Sequence, residues 1–165
     1  MVLLLKNLLF TVVVPGTVAV YVPLLIIGDH PRASGIVSAI AAILLAIGAG
    51  IYAWCVWDFA SFGRGTPAPI GAPKRLVVRG LYRYTRNPMY LGVLSVILGW
   101  TILFRSPTLL LYLLAVGAGF HGFIMLYEEG HLRREFGEEY EAYCRRVGRW
   151  LPRAAKPDPD RETER

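Results

Sequence analysis

The sequence predicts an all-α integral membrane protein with about four transmembrane helices and a C-terminal amphipathic helix on the cytoplasmic side. The chain has 165 residues, 55% of them hydrophobic, and its mean hydropathy is +0.44. Its apolar residues are gathered in four long stretches, and its basic residues lie mostly between and after them. A soluble domain is about half apolar without such stretches, so we expect lipid around these helices.

Four apolar stretches are the candidate helices; they cover residues 8–27, 34–57, 88–104 and 107–127. A bilayer core about 30 Å thick needs about 20 helical residues, so the third stretch is marginal and the others are long enough. The first is longer than the apolar core of a signal peptide and has no small-residue cleavage site before Asp29. We therefore predict that it is retained as a helix.

Basic residues predict the orientation of the chain. Six of the 18 Lys and Arg residues lie in the segment 64–86, and nine follow Tyr127. By the positive-inside rule, this loop and both termini face the cytoplasm, as expected of an inner or plasma membrane protein. The same rule accounts for the net charge of +6, and no basic module interleaved with aromatic residues indicates nucleic-acid binding.

A polar cluster precedes the third apolar stretch, in the sequence RYTRNPMYLG. Asn87 followed by Pro88 is typical of a helix start, with Asn as the N-cap and Pro in the first turn. The unpaired N–H groups of a helix start, together with Arg83 and Arg86, could bind an anion. Alternatively, the arginines and tyrosines only anchor the helix at the lipid headgroups.

A second polar cluster closes the fourth apolar stretch. His121 and Glu128 are seven residues apart and therefore on one face of a helix, and Glu129 points to the adjoining side. Ionisable groups in an apolar helix suggest function. The alternatives are a core histidine bonded to a neighbouring helix, and glutamates that face water or pair with Arg83 and Arg86.

Metal binding is not predicted. Glu128 and His131 have the spacing used in carboxylate-bridged di-iron bundles, but such bundles need a second pair of this kind and two further carboxylates. Asp58 is the only other acid near a cytoplasmic end of the first three helices.

The segment after Gly130 predicts an amphipathic helix over residues 132–147, because apolar residues recur at steps of three or four. The recurring residues are Leu132, Phe136, Tyr140, Tyr143, Val147 and Trp150. This helix could lie along the bilayer or cover the cytoplasmic mouth of the bundle. We predict one domain over residues 1–155 and a disordered tail over 156–165.

The two polar clusters together carry a family resemblance. GLYRYTRNPMYLG is followed after about 35 residues by EEGHLRREFGEEYEAYCRRVGRWLP. This pair is similar to the C-terminal signature of the isoprenylcysteine carboxyl methyltransferase and phospholipid methyltransferase superfamily. The resemblance covers residues 62–152, and the first two helices match only as membrane helices.

The resemblance implies a small helical membrane protein whose cytoplasmic pocket, built mainly by residues 62–152, holds S-adenosylmethionine. The residues that it assigns to the cofactor are Tyr82, Arg86, Asn87, Pro88, Tyr90, His121, Glu128 and Glu129. Arg86 and Glu128 are the candidate catalytic residues, with Glu128 as the base that an amine acceptor needs. The implied reaction is methyl transfer to a lipophilic or lipid acceptor that presents a carboxylate or an amine.

Two features depart from the family pattern. Asn87 stands where many members have His, which keeps an N-cap but removes a titratable group. Residues 124–127 lack the basic residue that prenylcysteine enzymes carry before the Glu pair. The second departure argues against a prenylcysteine carboxylate as the acceptor.

Two other functions stay open at this point. Membrane reductases of the sterol-reductase type, which use NADPH, resemble the same hairpin and terminal motif but usually have more helices. A non-enzymatic membrane protein could use the basic tail to bind lipid. Membrane lipids are expected partners in every case, and the sequence does not indicate the oligomeric state.

Overall fold

A computed structural model describes residues 13–63 and 76–152. Within these residues the protein is built from helices and has no strand, although a single parallel bridge joins Thr85 to Gly148. The predicted all-helical class is therefore confirmed. The predicted tail at 156–165 lies outside the described residues, and the division into one domain stays a prediction.

Five helices carry the fold in the described part of the chain. α1 is Val13–Ile27 and contains a π-helical turn, Thr17–Tyr21; α2 is Ile36–Asp58 and continues into a second π-helical turn, Phe59–Gly63. α3 is Pro88–Phe104, α4 is Pro107–Phe123 and α5 is Glu129–Arg146. A one-turn 3-10 helix, Gly80–Arg83, precedes α3, and a third π-helical turn, Ile124–Glu128, joins α4 to α5.

Among residues 13–63 and 76–152, two helical segments are long and apolar enough to cross a membrane: Ile36–Ser61, and Pro107–Arg146, which runs from α4 through α5. α1 and α3 are shorter apolar helices. Large apolar side chains such as Leu25, Trp57 and Leu126 are exposed on this bundle, which suits a lipid environment. These helices support a location in the membrane, and the number of four crossings stays a prediction.

The junction of α4 and α5 differs in detail from the predicted one. Sequence places the start of the last helix at residue 132, whereas α5 begins at Glu129 and follows α4 without a loop. The helix is interrupted further on, at Gly137, where φ is +49°. Glycine adopts this left-handed conformation without a steric penalty from a Cβ. Beyond the interruption, Tyr140 and Tyr143 turn their side chains into a buried cluster.

α2 and α3 approach each other through glycines. A Cβ at Gly48 would lie 2.6 Å from the carbonyl oxygen of Gly92, and a Cβ at Gly92 would lie 2.9 Å from that of Gly48. Further along, a Cβ at Gly99 would lie 2.8 Å from the side chain of Leu45. Small residues allow helix backbones to pack this closely in membranes, so these glycines set the distance between the two helices.

α1 is attached to α3 and α4 by two side-chain hydrogen bonds as well as by apolar contacts. Trp100 Nε1 donates to the carbonyl oxygen of Ala19 at 3.0 Å, and Tyr112 Oη donates to that of Val18 at 2.9 Å. Both carbonyls belong to the π-helical turn Thr17–Tyr21, and an irregular turn of this kind offers carbonyl groups to neighbouring side chains.

Candidate functional site

The two polar clusters are joined by a short backbone pairing. The Arg86 N–H donates to the carbonyl oxygen of Gly148 at 2.9 Å, next to the bridge between Thr85 and Gly148. The carbonyl oxygen of Arg149 accepts from Thr85 Oγ1 and from Asn87 Nδ2, both at 3.0 Å. The segment before α3 and the segment after α5 are thereby held together, although they are more than sixty residues apart in sequence.

Asn87 stands at the predicted helix start, but its side chain does not cap the helix. α3 begins at Pro88 as predicted, and the Asn87 side chain makes no capping hydrogen bond to its first turn. The Asn87 amide donates to Arg149 instead. A buried carbonyl group needs a hydrogen-bond donor, and the Asn87 amide supplies one, so the predicted role as N-cap is wrong for this side chain.

Glu129 is the centre of an arginine cluster. Its side chain is 6% exposed and accepts from Arg149 at two atoms, from Nε to Oε1 at 2.7 Å and from Nη2 to Oε2 at 3.1 Å. Arg86 Nη1 lies 3.3 Å from Oε1, and Arg133 Nη2 lies 3.9 Å from Oε2. The hydrogen bond to Glu129 raises the pKa of the Arg149 guanidinium above its ordinary value. A buried carboxylate is stable when it is paired in this way.

Arg86 keeps one donor without a partner. Its Nη1 contacts Glu129, donates to Cys144 Sγ at 2.7 Å and to Tyr140 Oη at 3.4 Å. Its Nε is buried and has no hydrogen-bond partner in the part of the chain that the structure describes. Leaving a buried donor unsatisfied costs about 1–3 kcal/mol, so this atom can gain a partner when a ligand is present.

Glu128 has surroundings quite different from those of Glu129. Its Oε2 accepts from Tyr90 Oη at 2.8 Å, and the Tyr90 ring lies 4.7 Å from that of Phe120. Among residues 13–63 and 76–152 it makes no ion pair within 4.0 Å. Adjacent helical residues point about 100° apart, which lets one glutamate face the arginines and the other face the aromatic rings.

Tyr82 is buried on the α2 side of the site. Its carbonyl oxygen accepts from Tyr143 Oη at 2.7 Å, and its ring meets that of Phe59 edge to face at 5.6 Å. The side chain packs against Cys55. Burial raises the pKa of the Tyr82 phenol well above its usual range. The side chain therefore borders the site as an uncharged group.

His121 is exposed and faces the C-terminal segment. Its Nδ1 accepts from Trp150 Nε1 at 3.1 Å, and the two rings stack. The π-helical turn Ile124–Glu128 lies between His121 and Glu128 and winds fewer degrees per residue than an α-helix. The shared face predicted from a spacing of seven residues is therefore shifted, and the two residues have separate partners.

Sequence alone does not identify three residues that contact the predicted site. Arg149 contacts Glu129, Cys144 contacts Arg86, and Trp150 contacts His121. Arg149 lies in a basic tail whose charge is explained by membrane topology, and its partner Glu129 is twenty residues away. Arg83, which the sequence suggests beside Arg86, is exposed and makes none of the contacts above. Within the described ranges, no group of three His, Cys, Asp or Glu side chains could hold a metal ion.

Comparison with known proteins gives a family. A profile described as phospholipid methyltransferase matches residues 36–139. Two proteins from Oryza sativa, subspecies indica and japonica, are each named "Probable protein-S-isoprenylcysteine O-methyltransferase" and are 35% identical over 78 residues. These residues are 47% of this chain and 41% of the relatives, so the match spans about two fifths of their length.

A third relative is shorter. An uncharacterized protein from Haemophilus influenzae is 33% identical over 63 residues, which are 38% of this chain and the whole of that protein. No solved structure matches the chain.

Proposed function

Since the matched profile covers more than half of its residues, the chain belongs to the phospholipid methyltransferase family, and we propose that it is a membrane methyltransferase dependent on S-adenosylmethionine. The acceptor is a lipophilic or lipid molecule with a carboxylate or an amine at the cytoplasmic face. One observation supports the position of the site above all others. It is the pairing of segments 85–87 and 148–149, which joins the two polar clusters.

Arg86 is proposed to hold the carboxylate of the cofactor. Its buried Nε has no partner among the residues that the structure describes, and a guanidinium binds a carboxylate through parallel N–H bonds. Asn87 and Pro88 begin α3 beside it, and the first turn, which the Asn87 side chain does not cap, offers further N–H groups to an anion. These donors fit the acidic end of S-adenosylmethionine.

Glu129 is proposed to act on the cofactor through Arg86. The family resemblance assigns Glu129 a cofactor contact, but its carboxylate already faces Arg86, Arg133 and Arg149. A carboxylate with three cationic neighbours has little capacity left for a cofactor amine. Its contacts favour a role in holding the guanidinium of Arg86 in place.

Glu128 is proposed to accept hydrogen bonds from the amine or the ribose hydroxyls. One of its oxygens accepts from Tyr90, which leaves the other for a ligand. The faces of Tyr90 and Phe120 can stabilise a positively charged sulfonium. Tyr82 and His121 would border the site, Tyr82 on the α2 side and His121 beneath Trp150.

The reaction needs positioning more than chemistry from the protein. When bound, S-adenosylmethionine supplies an activated methyl group on its sulfonium. The residues of the chain would align this group with the acceptor and exclude water, and such positioning can supply about 7 kcal/mol or more. A carboxylate acceptor needs no base. An amine acceptor must lose a proton, and Glu128 is the proposed base.

The same proposal includes the arrangement in the membrane. Residues 1–155 would form one domain with four crossings, and both termini and the loop 64–86 would face the cytoplasm of a cell with an inner or plasma membrane. Single cysteines placed in the tail and in the loop before Ile36 test this with an impermeant thiol reagent on intact cells. Labelling of the tail from outside would contradict the orientation.

Neither alternative function gains support from the family assignment. To test the cofactor, purified protein in detergent is titrated by calorimetry with S-adenosylmethionine, with S-adenosylhomocysteine and with NADPH. We expect binding of the first two and none of NADPH. Binding of NADPH alone would move the chain to the reductases, and binding of none of the three would favour a non-enzymatic lipid-binding protein.

The acceptor class can be read from the stability of the product. Lipid extract is incubated with the protein and S-adenosylmethionine labelled in its methyl group, and labelled lipids are identified by mass spectrometry. A methyl ester, formed from a carboxylate, releases its label as methanol in mild alkali, whereas a methylated amine keeps it. Absence of label in any lipid, with the cofactor bound, would exclude the extract as the source of the acceptor.

A further inference from the structure

A buried carboxylate outside the site calls for an explanation. Asp58, the last residue of α2, is 1% exposed, and its Oδ1 pairs with Arg79 Nε at 3.2 Å. Its Oδ2 is buried and accepts no hydrogen bond from the residues that the structure describes. Burying a charged group is costly unless it is paired, and none of the roles proposed above uses this one.

The backbone at Gly80 packs directly against this carboxylate. Gly80 has φ of +56°, and a Cβ there would overlap Asp58 Oδ2 and come within 3.0 Å of Trp54 Nε1. The carboxylate of Asp58 therefore fills the space that a side chain at position 80 would take. Arg79 holds one oxygen and Gly80 closes over the other, so the three residues form a clamp, which we call the Asp58 clamp.

The Asp58 clamp fixes the turn that carries Tyr82. The one-turn helix Gly80–Arg83 begins directly at the clamp. Tyr82 on this turn packs against Cys55, one turn before Asp58 on α2. Its carbonyl oxygen accepts from Tyr143 on α5. Three residues after Tyr82 the chain enters the pairing with segment 148–149, so the clamp ties the first polar cluster to α2.

We propose that Asp58 is a positioning residue for the cofactor site and acts through the turn Gly80–Arg83. Its contacts with Arg79 and Gly80 lie where this turn begins. The inference rests on the proposed function for its effect on cofactor binding, but the position of the turn can be measured without any ligand. Cys55 is fully buried beneath Tyr82, so its reactivity reports whether the turn is in place.

The first experiment compares Asp58→Asn with Asp29→Asn, a matched change of an exposed carboxylate in the loop after α1. Each purified variant is reacted with N-ethylmaleimide, and mass spectrometry of peptides separates label on Cys55 from label on Cys144. We expect Asp58→Asn to expose Cys55 to the reagent and to weaken S-adenosylmethionine binding by roughly tenfold, which corresponds to the loss of about one hydrogen bond at the site. Asp29→Asn should match the unchanged protein in both.

The outcomes separate the inference from the proposed function. If the unchanged protein binds S-adenosylmethionine and folded Asp58→Asn binds equally well with Cys55 protected, the inference is wrong and the function stands. If the unchanged protein binds none, the function fails, and Cys55 labelling alone decides whether Asp58 holds the turn. Should Asp58→Asn not fold, Arg79→Lys replaces it, because this change keeps the charge and loses the Nε contact. We then expect more labelling of Cys55 and weaker binding of S-adenosylmethionine, both by less than for Asp58→Asn.

A second experiment tests the fit at Gly80. Gly80→Ala adds a Cβ that overlaps Asp58, and Asp58→Ala removes the obstacle. We expect the melting temperature of the double variant to lie above the value obtained by adding the two single effects, because residues in contact are not additive. Additive losses would show that the carboxylate and the turn are not fitted to each other.

Discussion

α2 and α3 pack closely at glycines, where backbone atoms of the two helices come near each other. At the polar end of the bundle, which contains Arg86, Glu129 and Arg149, charged side chains make the contacts. At Gly48 and Gly92 the nearest atom to an added Cβ would be a backbone carbonyl oxygen of the facing helix. Glu129 brings Arg86 and Arg149 together from segments distant in sequence. The first contact depends on shape and tolerates no added atom. The second depends on charge balance, and one of its members, Arg86, still has a donor to offer a ligand.

The two regions should therefore respond differently to substitution. Changes between α2 and α3 should alter stability and leave ligand affinity in the folded protein unchanged. Changes in the arginine cluster should alter both, because the same groups support the fold and face the proposed cofactor.

The largest effect is expected for Glu129→Gln. Loss of the carboxylate leaves Arg86 and Arg149 without their buried partner, and breaking a buried pair costs about 3–5 kcal/mol. We expect a large fall in melting temperature together with weaker binding of S-adenosylmethionine. Glu128→Gln is the matched control, since this neighbour makes no ion pair in the described part of the chain and its change should leave the melting temperature within a few degrees. Equal melting temperatures of Glu129→Gln and Glu128→Gln would contradict the account that only Glu129 stabilises the fold through its arginine partners.

Gly48→Ala should have the next largest effect. Its new Cβ would lie 2.6 Å from the carbonyl oxygen of Gly92, and overpacking of this kind costs about 1–3 kcal/mol. Gly50→Ala, on the same helix, has no described atom within 4 Å of the added Cβ and should be neutral or slightly stabilising. Thermal melting in one detergent compares them. A fall in cofactor affinity in folded Gly48→Ala would mean that the two regions are not separate.

Trp150→Phe should have the smallest effect. It keeps an aromatic ring on His121 but removes the Nε1 donor, and one hydrogen bond contributes about 0.5–1.5 kcal/mol. We expect faster hydrogen exchange in the segment 147–152 and a modest loss of cofactor affinity, with the melting temperature nearly unchanged. The control is Leu151→Ala, an exposed neighbour. Identical exchange in both variants would show that the bond to His121 does not hold the segment.

The polar end also shows what a sequence can and cannot predict. The start of α3 at Pro88 follows from local chemistry, because proline suits a first helical turn, and it is confirmed. The partner of the Asn87 side chain is a carbonyl 62 residues away, and no local rule selects it. The helical class follows from composition, whereas the π-helical turn Ile124–Glu128 has no recognisable sequence signal and changes how Glu128 faces the site.

Arg149 and Asp58 illustrate the same limit from two directions. Arg149 lies among many basic residues that membrane topology explains, so its bidentate contact with Glu129 becomes visible only in three dimensions. Asp58 is a single acid at a helix end in the sequence. Its packing against Gly80, on which its proposed role depends, is visible only in the structure. Motif resemblance could find Arg86 and Glu129 because both lie inside the paired signatures, but their mutual contact at 3.3 Å came from the fold.

The most direct test of the site is the affinity of Arg86→Ala for S-adenosylmethionine, measured by calorimetry beside Arg83→Ala. Arg83 is exposed, three residues earlier, and outside the cluster, so it controls for the loss of one positive charge. We expect Arg83→Ala to bind as the unchanged protein does. Arg86→Ala should bind roughly ten- to hundredfold more weakly, since a hydrogen bond to a charged group is worth about 1.5–3 kcal/mol. Equal affinity of folded Arg86→Ala and Arg83→Ala would remove the joined polar clusters as the place where the cofactor binds.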